Sequence, residues 1–416
     1  MPTEKKYDLV IIGGGGGGLL LAILLGRKGL RVVLLEQKKT LTYPPRGEMI
    51  QPSALKILDH MGLLKGLVTL DPHKNRYVKF YQSEGPPLCT IDYQRLLPPY
   101  GYSLILLPQI IQDLLLKEVA TLPNVEIIYG ASFQALLKDG NSVTGITYEQ
   151  ETEMSTAREQ KTIDAPVVVG ADGAGSPFRS ALSIPYRLHH YQDGYLTALL
   201  PRPKNFEDAR YYLGKRKILG LFPVSSQTLY LFYMVQRDQI ALLRASPIST
   251  FKEHLCSINQ DLEKPLSGLT RWEETAFMPC FRVRCSRWVS DGAILLGDAA
   301  HAMNPHVAQG RNSAMEDAVV LADVLLDCFQ KKNFSQKSLS EYEAMRRPPV
   351  TILQRLGDEM TFFWNSGMTP VMWARNQSLK ALHSNRALHD KTLKTIAGVE
   401  VTPMTVWDRI LMLNMI

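Results

Sequence analysis

Six consecutive glycines, Gly13 to Gly18, stand inside an uncharged stretch covering residues 9–25. Length and hydropathy alone would admit a membrane-spanning helix there. Each glycine, however, costs a helix roughly 1 kcal/mol relative to alanine, and no small-residue cleavage site follows. The pattern instead predicts a buried strand over residues 7–12, a tight glycine turn, and a helix over 19–25 that is apolar on all sides. A second strand over 30–35 runs into Glu36. Strand, turn, helix and strand form one βαβ unit, which makes a parallel sheet the expected framework.

Within this unit Gly13, Gly15 and Gly18 satisfy GxGxxG, with Gly17 between the last two. The first glycine permits the turn, the second lets a pyrophosphate approach the backbone, and the third brings helix and strand together. The amides at the helix N-terminus then face the anion. Glu36, followed by Gln37, is placed to accept hydrogen bonds from ribose hydroxyls, and its charge disfavours a 2′-phosphate. The expected tight ligand is therefore FAD or NAD; the alternative is a glycine-rich turn with no ligand.

Composition excludes several other classes. The net charge is +7, but it is spread thinly, with only short pairs such as Lys331-Lys332 and Arg346-Arg347. Nucleic-acid binding needs a concentrated basic stripe, so no nucleic-acid partner is expected. Five scattered cysteines, Cys89, Cys256, Cys280, Cys285 and Cys328, do not form a secreted disulfide framework or a zinc motif. They read as reduced thiols of a cytoplasmic protein. His301, His306, Asp298 and Glu316 lack the one-turn histidine spacing of a helical metal site, and no metal is expected.

Two further motifs follow. Residues 167–179 read VVVGADGAGSPFR, an apolar strand entering an Asp172-Gly173 turn with Ser176 and Arg179 at DGxxSxxR spacing. Residues 293–318 read AILLGDAAHAMNPHVAQGRNSAMEDA, a strand ending at Gly297-Asp298 and a loop feeding a helix near Asn312. The three motifs in this order resemble the single-component FAD-dependent aromatic hydroxylases of the para-hydroxybenzoate hydroxylase and ubiquinone-biosynthesis hydroxylase type. Arg46-Gly47, Gln51-Pro52, Pro108-Gln109, and Tyr342 to Pro348 with Gln354 and Asp358 extend the likeness over most of the chain.

The resemblance implies that FAD lies across all three motifs. Asp298 would bond the ribityl chain, the amides of Ala308, Gln309, Gly310, Arg311 and Asn312 would face the flavin, and Gln109 would meet the ribose or pyrophosphate. Asp172 belongs to a motif associated with FAD and the nicotinamide nucleotide. The expected reaction is monooxygenation: NAD(P)H reduces FAD, dioxygen forms the C4a-hydroperoxide, and one oxygen passes to an aromatic or quinone-like small molecule. Pro305 would wall the flavin, with His306 and Arg46 as further candidate catalytic residues. A helix N-terminus near the reduced flavin would stabilise its anion by roughly 0.3–2 kcal/mol. Flavin-dependent reductases of isoprenoid double bonds and halogenases use related scaffolds and stand as alternatives, although no WxW occurs. Two departures stand out. Ala308 replaces the usual glycine, and Gly16 and Gly17 replace a proline and an alanine with no evident consequence.

Several residues keep two readings. His306 either meets substrate or packs its loop. Arg179 either clamps a phosphate or pairs with a carboxylate. Glu316 and Asp317 read as helix-dipole partners rather than acid–base catalysts. Any one of His189, His190, Tyr191, Tyr195, Tyr211 and Tyr212 could bond a phenol substrate. The expected fold is α/β. A discontinuous Rossmann-like FAD-binding domain would span 1–72, 108–184 and 281–340, with an inserted β-rich substrate domain over 73–107 and 185–280. A helical region would cover 341–416. Its last segment, 406–416, reads as an amphipathic helix packed on the body, with membrane or partner docking as the alternative. A monomer or homodimer is expected.

Overall fold

The computed structural model describes residues 6–40, 42–82, 86–151 and 158–413. Among these, Leu9–Ile12, Val32–Glu36, Val168–Gly170 and Ala293–Leu295 are strands in which every residue is buried. Strands apolar on both faces need a cover on both sides, which a parallel sheet wrapped by helices provides. They assemble with Val125–Tyr129 and Val289–Ser290 in the order Val289–Ser290, Ala293–Leu295, Val168–Gly170, Leu9–Ile12, Val32–Glu36, Val125–Tyr129. All neighbours are parallel except the pair formed by Val289–Ser290. The order matters for function. The three strands that precede the three sequence motifs lie side by side, so Gly13, Asp172 and Asp298 follow the carboxyl ends of adjacent strands. Such an end is where open α/β sheets bind ligands.

The helix after the first strand is Gly16–Gly26, beginning inside the glycine run three residues earlier than expected. It buries Leu19, Leu20, Leu21, Ile23 and Leu25 completely, each such side chain contributing roughly 1.5–3 kcal/mol. The uncharged stretch is thus core. Among the described residues no helix is long and apolar enough to cross a membrane. The five cysteines are free thiols.

A second sheet has the order Thr275–Cys285, Tyr186–Pro201, Thr228–Gln236, Lys217–Pro223, Ala209–Gly214, Tyr77–Tyr81, Cys89–Asp92. Strands expected at 210–213, 218–222 and 228–234 are present, each slightly longer. Side chains alternate between its faces with period two. Leu229, Leu231, Tyr233 and Val235 pack with Phe251 and Leu255 of helix Ile248–Ile258. Tyr230, Phe232 and Met234 face the other way, with Tyr195, Tyr211 and Phe222. Strand Thr275–Cys285 crosses the expected boundary at 280/281, and Glu48–Ile50 pairs with Ser103–Leu106 across the boundary at 72/73.

An antiparallel sheet of Ala131–Asp139, Ser142–Glu151 and Arg158–Asp164 was not anticipated. Within the expected helical region 341–416 lies helix Arg386–Ile396, started by Asn385 accepting from the Leu388 amide at 3.1 Å. The long helix Gln336–Trp364 contains Pro348 and Pro349. Its Gln354 donates to the carbonyls of Val283, His301 and Ala302, and its Asp358 accepts from Tyr191 and Arg282. These bonds tie the second sheet and the segment that follows strand Ala293–Leu295 to one helix. Of the expected helix over 406–416, Val406–Met412 is helical and residues 414–416 lie outside the described residues. It is held by Lys391–Asp408 and Arg409–Glu359 ion pairs, both 2.6 Å.

Candidate active site

Gly13 has φ +108, and a Cβ there would press into the Ala171 carbonyl; one on Gly18 would press into the Gly13 carbonyl. Both positions therefore need glycine to let the loop, the adjacent strand and the helix approach. Gly17 is also constrained, because its Cβ would meet the Leu296 side chain and, at 3.0 Å, the Ala314 carbonyl. This corrects the expectation that Gly17 has no consequence: it sets the close packing of helix Gly16–Gly26 on helix Gly310–Lys331. Gly15 differs from the others. Nothing lies within 4 Å of where its Cβ would stand, and the same holds for Gly310.

Gly15 and Gly310 both border one cavity of about 570 Å³. The helices starting at Gly16 and Gly310 have no side-chain cap and no acidic residue in the first turn. Their unpaired N-terminal amides and positive dipole ends converge on the same space. That arrangement suits a ligand with anionic groups. Asp298 borders the cavity, and burial of the surroundings raises its pKa, against a smaller lowering by His301. Ala308 stands at φ +50, ψ 40, the left-handed region. The loop keeps the glycine-like conformation although the residue is alanine, at a cost of about 1 kcal/mol. Asn312 fixes this loop by accepting from the Gln51 amide and donating to the Met49 and Ala308 carbonyls, all at 2.8–2.9 Å. Gln309 donates to the Ile396 carbonyl at 2.6 Å.

Arg46 and Arg311 border the cavity and share one carboxylate, Glu48. Arg46 reaches it at 2.7 Å and Arg311 at 2.5 Å. Burial alone would raise the Glu48 pKa, but the two guanidiniums win and hold it below the usual range. Glu36 accepts from the Gly14 amide at 3.0 Å and from the Lys38 amide at 2.9 Å, bracing the glycine loop.

Behind the cavity Asp317 is fully buried, with His301 Nε2 at 2.6 Å and Arg346 Nε at 2.7 Å. Glu316 also pairs with Arg346, at 2.9 Å. Neither carboxylate lies in the first helical turn. Their role is structural, as expected, but the physical cause is a buried ion network rather than the helix dipole. Arg179 follows neither of its two readings. It is buried, donates to the carbonyls of Ala299 and Ala174 at 2.7 and 2.8 Å, and lies over the Tyr186 ring.

The opposite wall comes from the second sheet. Tyr195, Tyr211, Phe222, Tyr230 and Phe232 border the cavity, together with Pro305 and His306. Pro305 opens a single turn, Pro305–Val307, whose start is capped by Asn304. The Tyr195 hydroxyl lies 3.1 Å from His306 Nε2, and the imidazole meets Tyr195 and Trp364 edge-on. Burial drives the His306 pKa down to about 4, outweighing an opposing interaction with Asn365, so the ring is neutral near pH 7. Of the six middle-segment candidates, Tyr195 and Tyr211 reach the cavity. His189 and His190 are exposed, Tyr191 bonds Asp358, and Tyr212 lies on the far face of the sheet.

Three sequence candidates stand apart. The Asp172 carboxylate accepts from the Phe178 amide at 3.1 Å, while the neighbouring Ala171 and Gly173 border the cavity. Gln37 is exposed. Gln109 borders a second cavity with Tyr43, Asp113 and Tyr129. Tyr129 registers with Glu36, so this second space adjoins the Glu36 end of the first sheet. Sequence reasoning did not reach Gln112, which donates to the Gly14 carbonyl at 2.5 Å, nor Glu48, Phe222, Tyr230 and Phe232. Alternation within residues 228–236 was the available signal for Tyr230 and Phe232; nothing local marks Gln112.

Residues 6–355 match the family described as FAD binding domain. The 6-methylpretetramide 4-monooxygenase of Streptomyces rimosus is 29% identical over 345 residues, 82% of this chain and 80% of that protein. Ubiquinone hydroxylase UbiL of Rhodospirillum rubrum is 25% identical over 394 residues, 91% of this chain and 86% of that one. Among solved structures, p-nitrophenol 4-monooxygenase PnpA from Pseudomonas putida DLL-E4 superposes with a TM-score of 0.80 at 21% identity, covering 96% of this chain and all of that one, and so shares the fold. The chain belongs to the FAD-binding domain family.

Proposed function

We propose that this protein is an FAD-dependent monooxygenase that uses NAD(P)H and dioxygen to hydroxylate an aromatic or quinone-like small molecule. One observation carries the reading: a single cavity joins a backbone-lined, anion-compatible end to an aromatic end. The named activities of the relatives agree with it. The residues present fit FAD. Gly15 and Gly310 leave open the space a side chain would fill, two uncapped helices aim amides into it, and Asp298 stands open to it.

In this reading Gly13, Gly15, Gly17 and Gly18 shape the pyrophosphate cradle, and Glu36, Gln37 and Gln109 flank the adenosine end. Asp172 holds its turn so that Ala171 and Gly173 face the cofactor. Asp298, Arg46 and the amides of Ala308, Gln309, Gly310, Arg311 and Asn312 hold the ring end. Bound FAD supplies the electron transfer and oxygen activation. The chain supplies position and dryness. Pro305 gives a rigid apolar edge, His306 a neutral hydrogen-bonding group, and the aromatic wall excludes water from the ring to be oxidised.

The test is purification with FAD, followed by a screen for compounds that accelerate NAD(P)H oxidation, with mass analysis of the products. Gain of one oxygen atom, lost when dioxygen is removed, is the expected result. Gain of two hydrogens without oxygen overturns it in favour of a reductase.

A further inference from the structure

Helix Val406–Met412 is turned inside out. At 3.6 residues per turn Val406, Trp407, Ile410 and Leu411 share one face, and Asp408, Arg409 and Met412 share the other. The second face is the one fixed to the protein, by the Lys391–Asp408 and Arg409–Glu359 ion pairs and by Met412 against a buried cluster. The apolar face is left to solvent, with Val406 73% and Trp407 67% exposed and Leu411 exposed as well. An ordinary surface helix does the reverse. Neighbouring helices extend the patch. Phe362 is exposed three residues beyond Glu359, on the same side of helix Gln336–Trp364. Met368 and Trp373 are exposed at the start of helix Thr369–Ser384, which packs on both other helices. Single exposed apolar side chains are ordinary, but this many on three adjoining helices mark an interaction site.

The rim of the patch is basic. Lys215, Arg216 and Lys217 form the exposed tip of the hairpin joining Ala209–Gly214 to Lys217–Pro223. The Arg216 amide donates to the Ser366 carbonyl at 3.3 Å, and buried Arg375 donates to the Gly214 carbonyl at 3.1 Å. The tip is thereby fixed beside the turn between helices Gln336–Trp364 and Thr369–Ser384. Among the described residues these three cations form no ion pair, whereas the nearby acids Glu359, Asp390, Glu400 and Asp408 each already hold a cation.

We propose that this face docks on the headgroup layer of an anionic lipid bilayer, with Val406, Trp407, Leu411 and Trp373 entering the interface and Lys215, Arg216 and Lys217 meeting lipid phosphates. Tryptophan and aliphatic side chains beside unpaired cations match the apolar boundary and the negative surface of such a bilayer. A second copy of the chain is disfavoured. Two-fold pairing sets the patch against itself and brings both basic tips into one interface with no acid between them. The docking is independent of the monooxygenase reading, yet it adjoins the cavity: Trp364, two residues after Phe362, meets His306 and Tyr211 edge-on.

The test sediments the full chain, supplied with FAD, with vesicles of phosphatidylcholine alone or mixed with phosphatidylglycerol. The mixed vesicles should bind about tenfold or more tighter, and raised salt should shrink that difference. Trp407→Ser combined with Leu411→Ser should weaken binding to mixed vesicles about tenfold or more. Lys215→Gln combined with Lys217→Gln should bring the two vesicle types within about threefold of each other. All four side chains are exposed, so the thermal unfolding midpoint should not move in either variant. Equal binding to both vesicle types overturns the proposal, as does binding to neither. So does a lipid preference that survives both double substitutions. A dimer in solution that Trp407→Ser with Leu411→Ser dissociates overturns it in favour of a second copy. If that variant fails to fold, the vesicle comparison on the unaltered protein and the lysine variant still decide.

Discussion

In the proposed reading the two ends of the cavity recognise by different physics. At the glycine end the recognising atoms are backbone amides, and the side chains that matter are the missing ones at Gly13, Gly15 and Gly18. At the aromatic end recognition comes from side chains on strands whose orientation alternates, so Tyr211 reaches the cavity and Tyr212 beside it does not. Backbone recognition constrains a local string of residues. Side-chain recognition constrains a register, which many strings can satisfy. On that proposal the first end is rigid in sequence and general in ligand, and the second sets selectivity.

Four substitutions or titrations test that contrast, the largest first. Asp317→Ala removes one of the two carboxylates paired with buried Arg346 and the carboxylate bonded to His301 behind the glycine end, and denaturant unfolding should show a loss of about 3–5 kcal/mol. A loss below 1 kcal/mol would mean the network does not hold the end in place. The aromatic end should instead show itself through pH. His306 binds its proton less readily folded than unfolded, its pKa falling from 6.5 to about 4. As pH drops from 6.5 toward 4 the unfolded chain takes the proton first, so stability falls, by about 3 kcal/mol in all. Above 6.5 this contribution is complete and flat, and His306→Gln should make the slope in thermal unfolding across that window shallower, leaving the part that His73, His254 and His389, also lowered by burial, contribute.

Gly15→Ala separates shape from fold. With φ −71 and open space at its Cβ, alanine should leave unfolding free energy within about 0.5 kcal/mol. FAD affinity should fall about tenfold or more, near 1.4 kcal/mol, in a fluorescence titration. Unchanged affinity would show that the open space is not where the cofactor approaches. The smallest effect belongs to Ala308→Gly, which should stabilise the protein by about 1 kcal/mol by relieving the left-handed backbone; a destabilisation would show that the methyl group packs.

The readable parts of this molecule share a property. GxGxxG, Glu36 and the strand flanking them are contiguous, and each reports a local steric or electrostatic need. The unreadable parts depend on contacts between distant segments. Gln112 reaches the Gly14 carbonyl from ninety-eight residues away. Arg179 looked like a phosphate or carboxylate partner, yet it spends its donors on the carbonyls of Ala174 and Ala299 because folding buries it beside them. Glu316 and Asp317 were near enough to a helix start to suggest a dipole role, until Arg346 arrived from the next helix.

By itself the chain's sequence determined the parallel core, the glycine turn and the order of three ligand-facing loops, since short apolar strands and glycines at collision points have few alternatives. Tertiary structure alone decided that those loops sit on neighbouring strands, that Arg46 and Arg311 neutralise one shared carboxylate, and that His306 is buried enough to lose its charge. Burial and partner choice are properties of what packs against a residue, and those neighbours come from elsewhere in the chain.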